Sequence, residues 1–399
     1  MHKFTDAVVD FEDGKGTGEV EYQISFGNGD TVAFSGVTDA VLRHIDPPQW
    51  LPVYYPSGPS PVTAIGVFRW TRHDPAITKV YPDGLVTYTL TDVTSTQRWM
   101  SVTTKPDTTP LNQFTLPGTH DTGTSEMGET SQCQTMTLAE QLCRGIRFID
   151  IRLEPVWNSA KNRYDLRIYH GTSGSDFTFA DDIIEVCRVF LLRNPSETIV
   201  MLVNRNYNPF NSVPDKDFDA AANAIFAQYA KQYPDLFLNG PSMPSLAGAR
   251  THIVLVTRHA NLPGIDCSSG WPEDTTGSLV TPDGLTLEIQ DVYKFGGSTS
   301  SLQRKIDTKW GLVRDYLDKG LKPPSSTATW LVNYASATGD PGSQSPIDFA
   351  EGNGGTGVNT YLHAYLSQNP RGGYGAVIMD FPEYPADHAL IRMLIDSNN

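Results

Sequence analysis

No apolar run in the chain approaches the roughly 20 residues that a bilayer-spanning helix requires, so no membrane-spanning helix is expected. Positive charge is also in short supply. Thirty Lys and Arg stand against 45 Asp and Glu, giving a formal charge of −15 and a pI near 4.9. Such a chain repels phosphate backbones, which argues against broad binding to nucleic acid. Contact with an anionic membrane would have to use apolar and aromatic groups or a locally basic pocket. Cysteine is scarce and scattered, with only Cys133, Cys143, Cys187 and Cys267 in 399 residues. There is no C-x-x-C, so no zinc site is expected, and a disulfide is compatible with the spacing but not demanded. The opening "MHKFTDAVVDFEDGKG" has neither a continuous apolar core nor a small-residue cleavage site, so no signal peptide is expected in it. Internal repeats and low-complexity tracts are missing too.

What is present describes a folded protein of more than one domain. Hydrophobic residues make up 39% and charged residues 19%, outside the range of wholesale disorder. Residues 1–100 read as short strands with turn punctuation. "EVEYQISFGNGDTVAF" alternates polar and apolar residues about Gly27-Asn28-Gly29-Asp30, a hairpin signal. "TAIGVFRW" and "GLVTYTLTDV" continue the pattern, and a proline-rich connection carries Trp50, Tyr54 and Tyr55. The expectation is a small antiparallel sandwich. The polar stretch near residue 100 marks the boundary of a second domain, residues 101–399. There, helical stretches such as "MTLAEQLCRGI", "FADDIIEVCRVFLLRN" and "DKDFDAAANAIFAQYAKQY" alternate with short apolar runs: "RFIDIRL", "TIVMLVN", "THIVLVTR", "TWLVNYAS" and "GAVIMDF". Fully apolar strands separated by helices indicate a parallel sheet covered on its outside. About 300 residues of that alternation predict a distorted TIM-like β/α barrel.

Chemistry in a barrel gathers at the carboxyl ends of its strands, and several runs here end in charge. "GIRFIDIRLE" carries Asp150 and Arg152 on alternate positions, hence on one face. Others end in His170, Arg258, Asp291 with Tyr293, and Asp380. In "LPGTHDTGT" a His-Asp pair, His120 and Asp121, follows a Pro-Gly corner. Each has a bland alternative, as a surface group or helix cap. Buried charge is costly unless paired, however, and one shared pocket accounts for all of these residues together. No serine or cysteine nucleophile in a recognisable setting accompanies them, and no clustered metal-ligand spacing. Two imidazoles and a guanidinium suit cleavage of a phosphodiester by an internal hydroxyl: one ring takes the proton, the other protonates the leaving oxygen, and the cation stabilises the phosphorane.

"LPGTHDTGT", "GIRFIDIRL", "YHGTSG" and "FLLRNPSETIVMLV" resemble, in that order, the catalytic X region of bacterial-type phosphatidylinositol-specific phospholipase C. The resemblance is close from about Leu111 to Asn204 and thins through "LVTR", "IQDVYKF" and "VIMDF". It implies a lyase that cleaves phosphatidylinositol, or a glycosylated inositol lipid, at a membrane surface to diacylglycerol and inositol 1,2-cyclic phosphate. By the same resemblance, His120 is the general base, oriented by Asp380. His170 is the general acid, assisted by Asp121. Arg152 grips the phosphate and Asp150 holds the local polar geometry. Arg258 and Asp291 hydrogen-bond the inositol while Tyr293 stacks beneath it. Where the family usually has a lysine, this chain reads Asn204-Arg205, and Arg205 is the candidate substitute. Metal-dependent relatives carry an Asn after the first His and a carboxylate where Arg152 stands. The departure implies metal independence; the resemblance implies a secreted enzyme, and a monomer without cofactor is expected. The competing readings are a metal-dependent glycerophosphodiesterase-like or sphingomyelinase-D-like barrel, and a non-catalytic inositol-lipid-binding module.

Overall fold

The computed structural model describes residues 96–206, 210, 213–297, 299–322, 326–340, 343–386 and 388–399, together with the backbone of short strands within the first 95 residues. The chain divides into two compact units, Met1–Trp99 and Met100–Asn399. In the first, Glu19–Ser25 pairs antiparallel with Thr31–Val37, in the register that closes a hairpin between Ser25 and Thr31. With Ala76–Tyr81 and Gly84–Thr89 these form a four-stranded sheet. Leu51–Val53 pairs with Val62–Ile65, and Thr5–Ala7 with Phe68–Arg69. Trp50, Tyr54 and Tyr55 of the proline-rich connection lie outside the described residues.

In the second unit the apolar runs form strands β1 (Leu116–Thr119), β2 (Phe148–Asn158), β3 (Arg163–His170), β4 (Ser173–Thr178), β5 (Ile199–Arg205), β6 (Ile253–Thr257), β7 (Thr286–Gln290), β8 (Thr329–Tyr334) and β9 (Ala376–Met379). The order β6-β5-β2-β1-β9-β8-β7 is parallel throughout. Among the described residues no ladder joins β6 to β7, so the barrel is open at that seam. β3 and β4 are not barrel staves. They run antiparallel from the long end of β2 as a hairpin extension.

Helices cover the outside. α1 (Leu138–Arg144) starts in a capping box between Thr137 and Glu140 and stops at Gly145, whose φ of 111° only glycine adopts readily. α2 (Glu185–Arg193), α3 (Asp215–Gln232), α4 (Leu302–Gly320), α5 (Pro346–Glu351), α6 (Val358–Gln368) and α7 (Ala389–Asp396) complete the layer. Ile306, Val313 and Leu317 of α4 pack with Leu362 and Leu366 of α6, Leu390 and Leu394 of α7, and Val377 and Met379 of β9. The apolar spacing of three and four residues on each helix provides that stripe.

The "PSET" stretch has a structural use. Glu197 Oε2 accepts from Arg147 Nε at 3.0 Å and Nη2 at 2.8 Å, with both side chains fully buried. Arg147 Nη1 donates to the carbonyls of Leu142 and Ile146, tying the end of α1 to the barrel. Glu197→Ala would strand a buried guanidinium, a loss of about 3–5 kcal/mol. Urea unfolding should report it, while the folded fraction keeps its turnover; a stability change under 1 kcal/mol would refute this account.

Candidate active site

The strand order brings one set of polar side chains to the carboxyl ends of the staves. His120 follows β1, Asp150 and Arg152 lie in β2, Arg258 follows β6, Asp291 and Tyr293 follow β7, and Asp380 follows β9. His170 arrives differently, on β3, which turns back from β2 and returns to the barrel mouth.

The corner "THDTGT" is locked by its own hydroxyls. Thr124 Oγ1 donates to the Asp121 carbonyl at 2.7 Å. The Asp150 backbone N–H donates to Thr122 Oγ1 at 2.9 Å, and Gln134 Nε2 donates to the carbonyls of His120 and Met379. Asp121 sits at φ 43°, a left-handed conformation that Asp tolerates better than most residues and that turns its side chain inward. Gly123 lets this loop close against the hairpin, because a Cβ there would come within 2.9 Å of Ile168.

Within this frame His120 Nδ1 lies 2.8 Å from Asp380 Oδ1. A carboxylate can only accept, so the ring carries its proton on Nδ1 and leaves Nε2 free. His170 Nδ1 lies 2.8 Å from the carbonyl of Ser131, also an acceptor, which likewise frees its Nε2. The two rings are edge to face with centroids 6.0 Å apart. Between them Asp121 Oδ2 is 3.3 Å from His120 Nε2 and 3.6 Å from His170 Nε2. Its Oδ1 is 3.3 Å from Arg152 Nε, and Arg152 Nη2 reaches Asp150 Oδ2 at 3.0 Å. Among the described residues Arg152 Nη1 has no hydrogen-bond partner, so the guanidinium is held on one edge and open on another.

The electrostatics follow. Burial by itself would lower the His120 imidazole, but Asp380 and then Asp121 outweigh it and hold the ring above its ordinary value. Burial opposes ionisation of Asp121, and Arg152 with the two histidines overcomes it, keeping that carboxyl below its usual range. Arg152, desolvated yet flanked by Asp121 and Asp150, stays charged.

A second group lines the seam. Arg258 stacks on Trp271, its guanidinium carbon 4.5 Å from the ring centroid, and pairs with Glu273. Trp271 Nε1 donates to Asp291 Oδ2 at 2.8 Å, and Tyr293 Oη donates to Glu273 Oε1 at 2.8 Å. Burial raises the Asp291 carboxyl against the pull of Trp271, Arg152 and Arg258, so this group and the His/Arg cluster share one field. Tyr334, at the end of β8, joins them. Its ring lies edge-on to His120 at 6.1 Å and to Trp271 at 6.4 Å. Its hydroxyl is buried and makes no hydrogen bond.

One expectation is corrected. Arg205 does not reach this cavity. β5 pairs Asn204 with Arg152 and Arg205 with Leu153, so in a parallel ladder Asn204 shares the face of Arg152 and Arg205 points the other way. Its guanidinium is bound by Asp215 at the start of α3 and by the carbonyl of Val213. Trp271, Glu273 and Tyr334 escape sequence reasoning. The first two lie in an irregular segment with no periodicity, and the third ends a strand in an aromatic that reads as core. Cys133 also enters the cavity, its Sγ 3.6 Å from His170 Nδ1. None of the four cysteines is in a disulfide among the described residues. Among the described residues, Cys133 with His120 and Asp121 is the set whose donor atoms lie close enough together to hold a metal ion.

The family model for phosphatidylinositol-specific phospholipase C, X domain, matches residues 108–259, the segment that supplies His120, Asp150, Arg152 and His170. Residues 108–259 are thus similar to the X domain of phosphatidylinositol-specific phospholipase C, and the likeness to bacterial members of that family extends beyond them. Relatives of the chain include the 1-phosphatidylinositol phosphodiesterase of Listeria monocytogenes, 28% identical over 308 residues, which span 72% of this chain and 82% of the relative. The crystal structure of the Listeria monocytogenes phospholipase C is similar with a TM-score of 0.54 at 25% identity, covering 76% of this chain and 98% of that one. A Staphylococcus aureus phospholipase C structure superposes with a TM-score of 0.64 at 24% identity, with the same coverage, and shares the TIM-like fold. Residues 1–107 precede the matched phospholipase C segment.

Proposed function

We propose that this chain is a metal-independent phosphatidylinositol phosphodiesterase of the lyase type. His120 Nε2 takes the proton of the inositol 2-hydroxyl as its oxygen bonds to phosphorus. The bond from phosphorus to the diacylglycerol oxygen breaks, and His170, which must enter the step as the imidazolium, gives that oxygen its Nε2 proton and is left neutral. Arg152 stabilises charge gathering on the non-bridging oxygens. The products are diacylglycerol and inositol 1,2-cyclic phosphate, the latter hydrolysed more slowly. The observation that carries the reading is the pair of imidazole Nε2 atoms that meet at Asp121, which also holds the half-buried guanidinium of Arg152.

Arg258, Asp291 and Tyr293, joined by Trp271 and Glu273, are proposed to bind the inositol ring. Residues 101–399 are the catalytic domain in this reading and residues 1–100 an accessory one. The enzyme acts as a secreted monomer that meets phosphatidylinositol or a glycosylated inositol lipid peripherally. Among the described residues no helix is long and apolar enough to cross a membrane. Phe210, five residues past the end of β5, is 84% exposed and is a candidate apolar contact for a lipid surface.

Phosphorus NMR of phosphatidylinositol vesicles incubated with the enzyme in excess chelator tests the proposal. The expected result is a cyclic inositol phosphate signal, at a rate unchanged by added calcium. A strict calcium requirement, or a non-cyclic first product, would favour the metal-dependent phosphodiesterase instead. Headgroup binding without turnover would favour a binding module.

A further inference from the structure

The phosphodiester chemistry makes no use of the thiol inside the cluster. Cys133 is fully buried, and one ligand atom each from Cys133, His120 and Asp121 lie within 4.8 Å of one another. Asp121 is 1% exposed, and its carboxylate oxygens make no hydrogen bond among the described residues; they are held by ion-pair contacts alone, Oδ1 with Arg152 and Oδ2 with the two imidazoles, so Oδ2 keeps a lone pair for a cation. Asp121 and Asp150 flank the guanidinium of Arg152, and Asp380 adds a third carboxylate on His120.

Thiolate, imidazole and carboxylate are the ligand types of zinc. Its bond lengths of about 2.0–2.3 Å place tetrahedral ligand atoms roughly 3.3–3.8 Å apart, so this triangle closes with side-chain shifts of about an ångström. Asp380 on His120 Nδ1 supplies the carboxylate–histidine support that usually accompanies such a ligand. Calcium, which needs six to eight oxygen ligands, finds instead a sulfur, an imidazole and a nearby guanidinium.

We infer that Cys133, His120 and Asp121 form an inhibitory site for a thiophilic divalent cation, zinc in the first place, which stops the reaction by occupying the imidazole that must accept the substrate proton. The inhibition rests on the role proposed above for His120; the binding does not. Binding exchanges the thiol proton for the metal, with nothing oxidised: Cys133–SH and Zn²⁺ give a zinc thiolate and H⁺, and the fourth position is left to water. Because zinc competes with that proton, binding strengthens as pH rises.

Two measurements on the full chain test this. Titration with cobalt(II), the spectroscopic stand-in for zinc, should give one equivalent bound with a thiolate-to-metal charge-transfer band, and Cys133→Ala should lack it. Turnover of phosphatidylinositol vesicles, scaled to each protein's own zinc-free rate, should fall about tenfold or more with micromolar zinc and return with EDTA. Cys133→Ala should need at least about tenfold more zinc for the same loss. Cys133→Ser repeats the comparison if the alanine variant is unstable. Cobalt bound without the thiolate band, no cobalt bound, or equal zinc sensitivity in the variant would each overturn the site. A wild-type protein with no turnover at all would instead sink the functional reading, and the cobalt titration would still decide the site.

Discussion

His120→Ala and His170→Ala proteins should each fold normally and lose about 10²–10⁴-fold in kcat, the usual contribution of a positioned general acid or base. The structure gives each ring a different reason to matter. His120 is held by Asp380 with Nε2 free, whereas His170 is held by a backbone carbonyl with Nε2 free. Both must act within one turnover, so the double variant should be scarcely slower than the worse single one. The pH profile separates their roles. His120 must be neutral to accept a proton, and Asp380 and Asp121 overcome burial to hold it above its ordinary value. Activity should therefore fall as pH is lowered through a pKa above about 6.5. Asp380→Asn removes the largest attraction for the imidazolium and should shift that acid limb to lower pH as it slows turnover. Near-normal kcat in either alanine variant, with circular dichroism unchanged, would show that the ring is not an acid or base here.

Arg152→Lys should cost about 10²–10³-fold in kcat, the loss typical of removing a donor that stabilises an oxyanionic transition state. The guanidinium does two things at once. One edge satisfies Asp121 and Asp150 while another remains for the phosphate. An ammonium is a single point charge on a flexible stem and cannot face both ways. The lysine variant should also melt earlier, since two buried carboxylates lose part of their compensation. Rates must therefore be taken per folded molecule, from a thermal scan of the same sample. A lysine variant with wild-type kcat would mean that charge alone suffices and that the fork has no part in the transition state.

Much of this site could be read before any fold was known, because its residues sit where strands end. "GIRFIDIRL" shows an Asp and an Arg on alternate positions, and period-two geometry puts them on one face whatever the tertiary context. "VIMDF" and "LVTR" end apolar runs in charge, and in an α/β barrel such ends converge. For His170 the strand-end rule is only part of the reason. That residue does end a strand, but that strand is an antiparallel return from β2, and short sequences with the same alternation do not say which way they pair. Arg205 shows the same limit from the other side. A one-residue difference decides which of Asn204 and Arg205 faces inward, and only the ladder with β2 fixes it. Trp271 and Glu273 come from the irregular chain at the open seam, where no period exists to read.

By itself the sequence determined the alternation of strand and helix, the polar termini of the strands, and the residue kinds needed to move a proton twice across a phosphate. Those depend on local stereochemistry and on the cost of burying charge, which act residue by residue. Tertiary structure alone decided which imidazole nitrogen is free, which of two neighbouring side chains points inward, and that a thiol lies among the charges. Such facts depend on contacts between segments more than two hundred residues apart, like His120 with Asp380, whose distance no local pattern encodes.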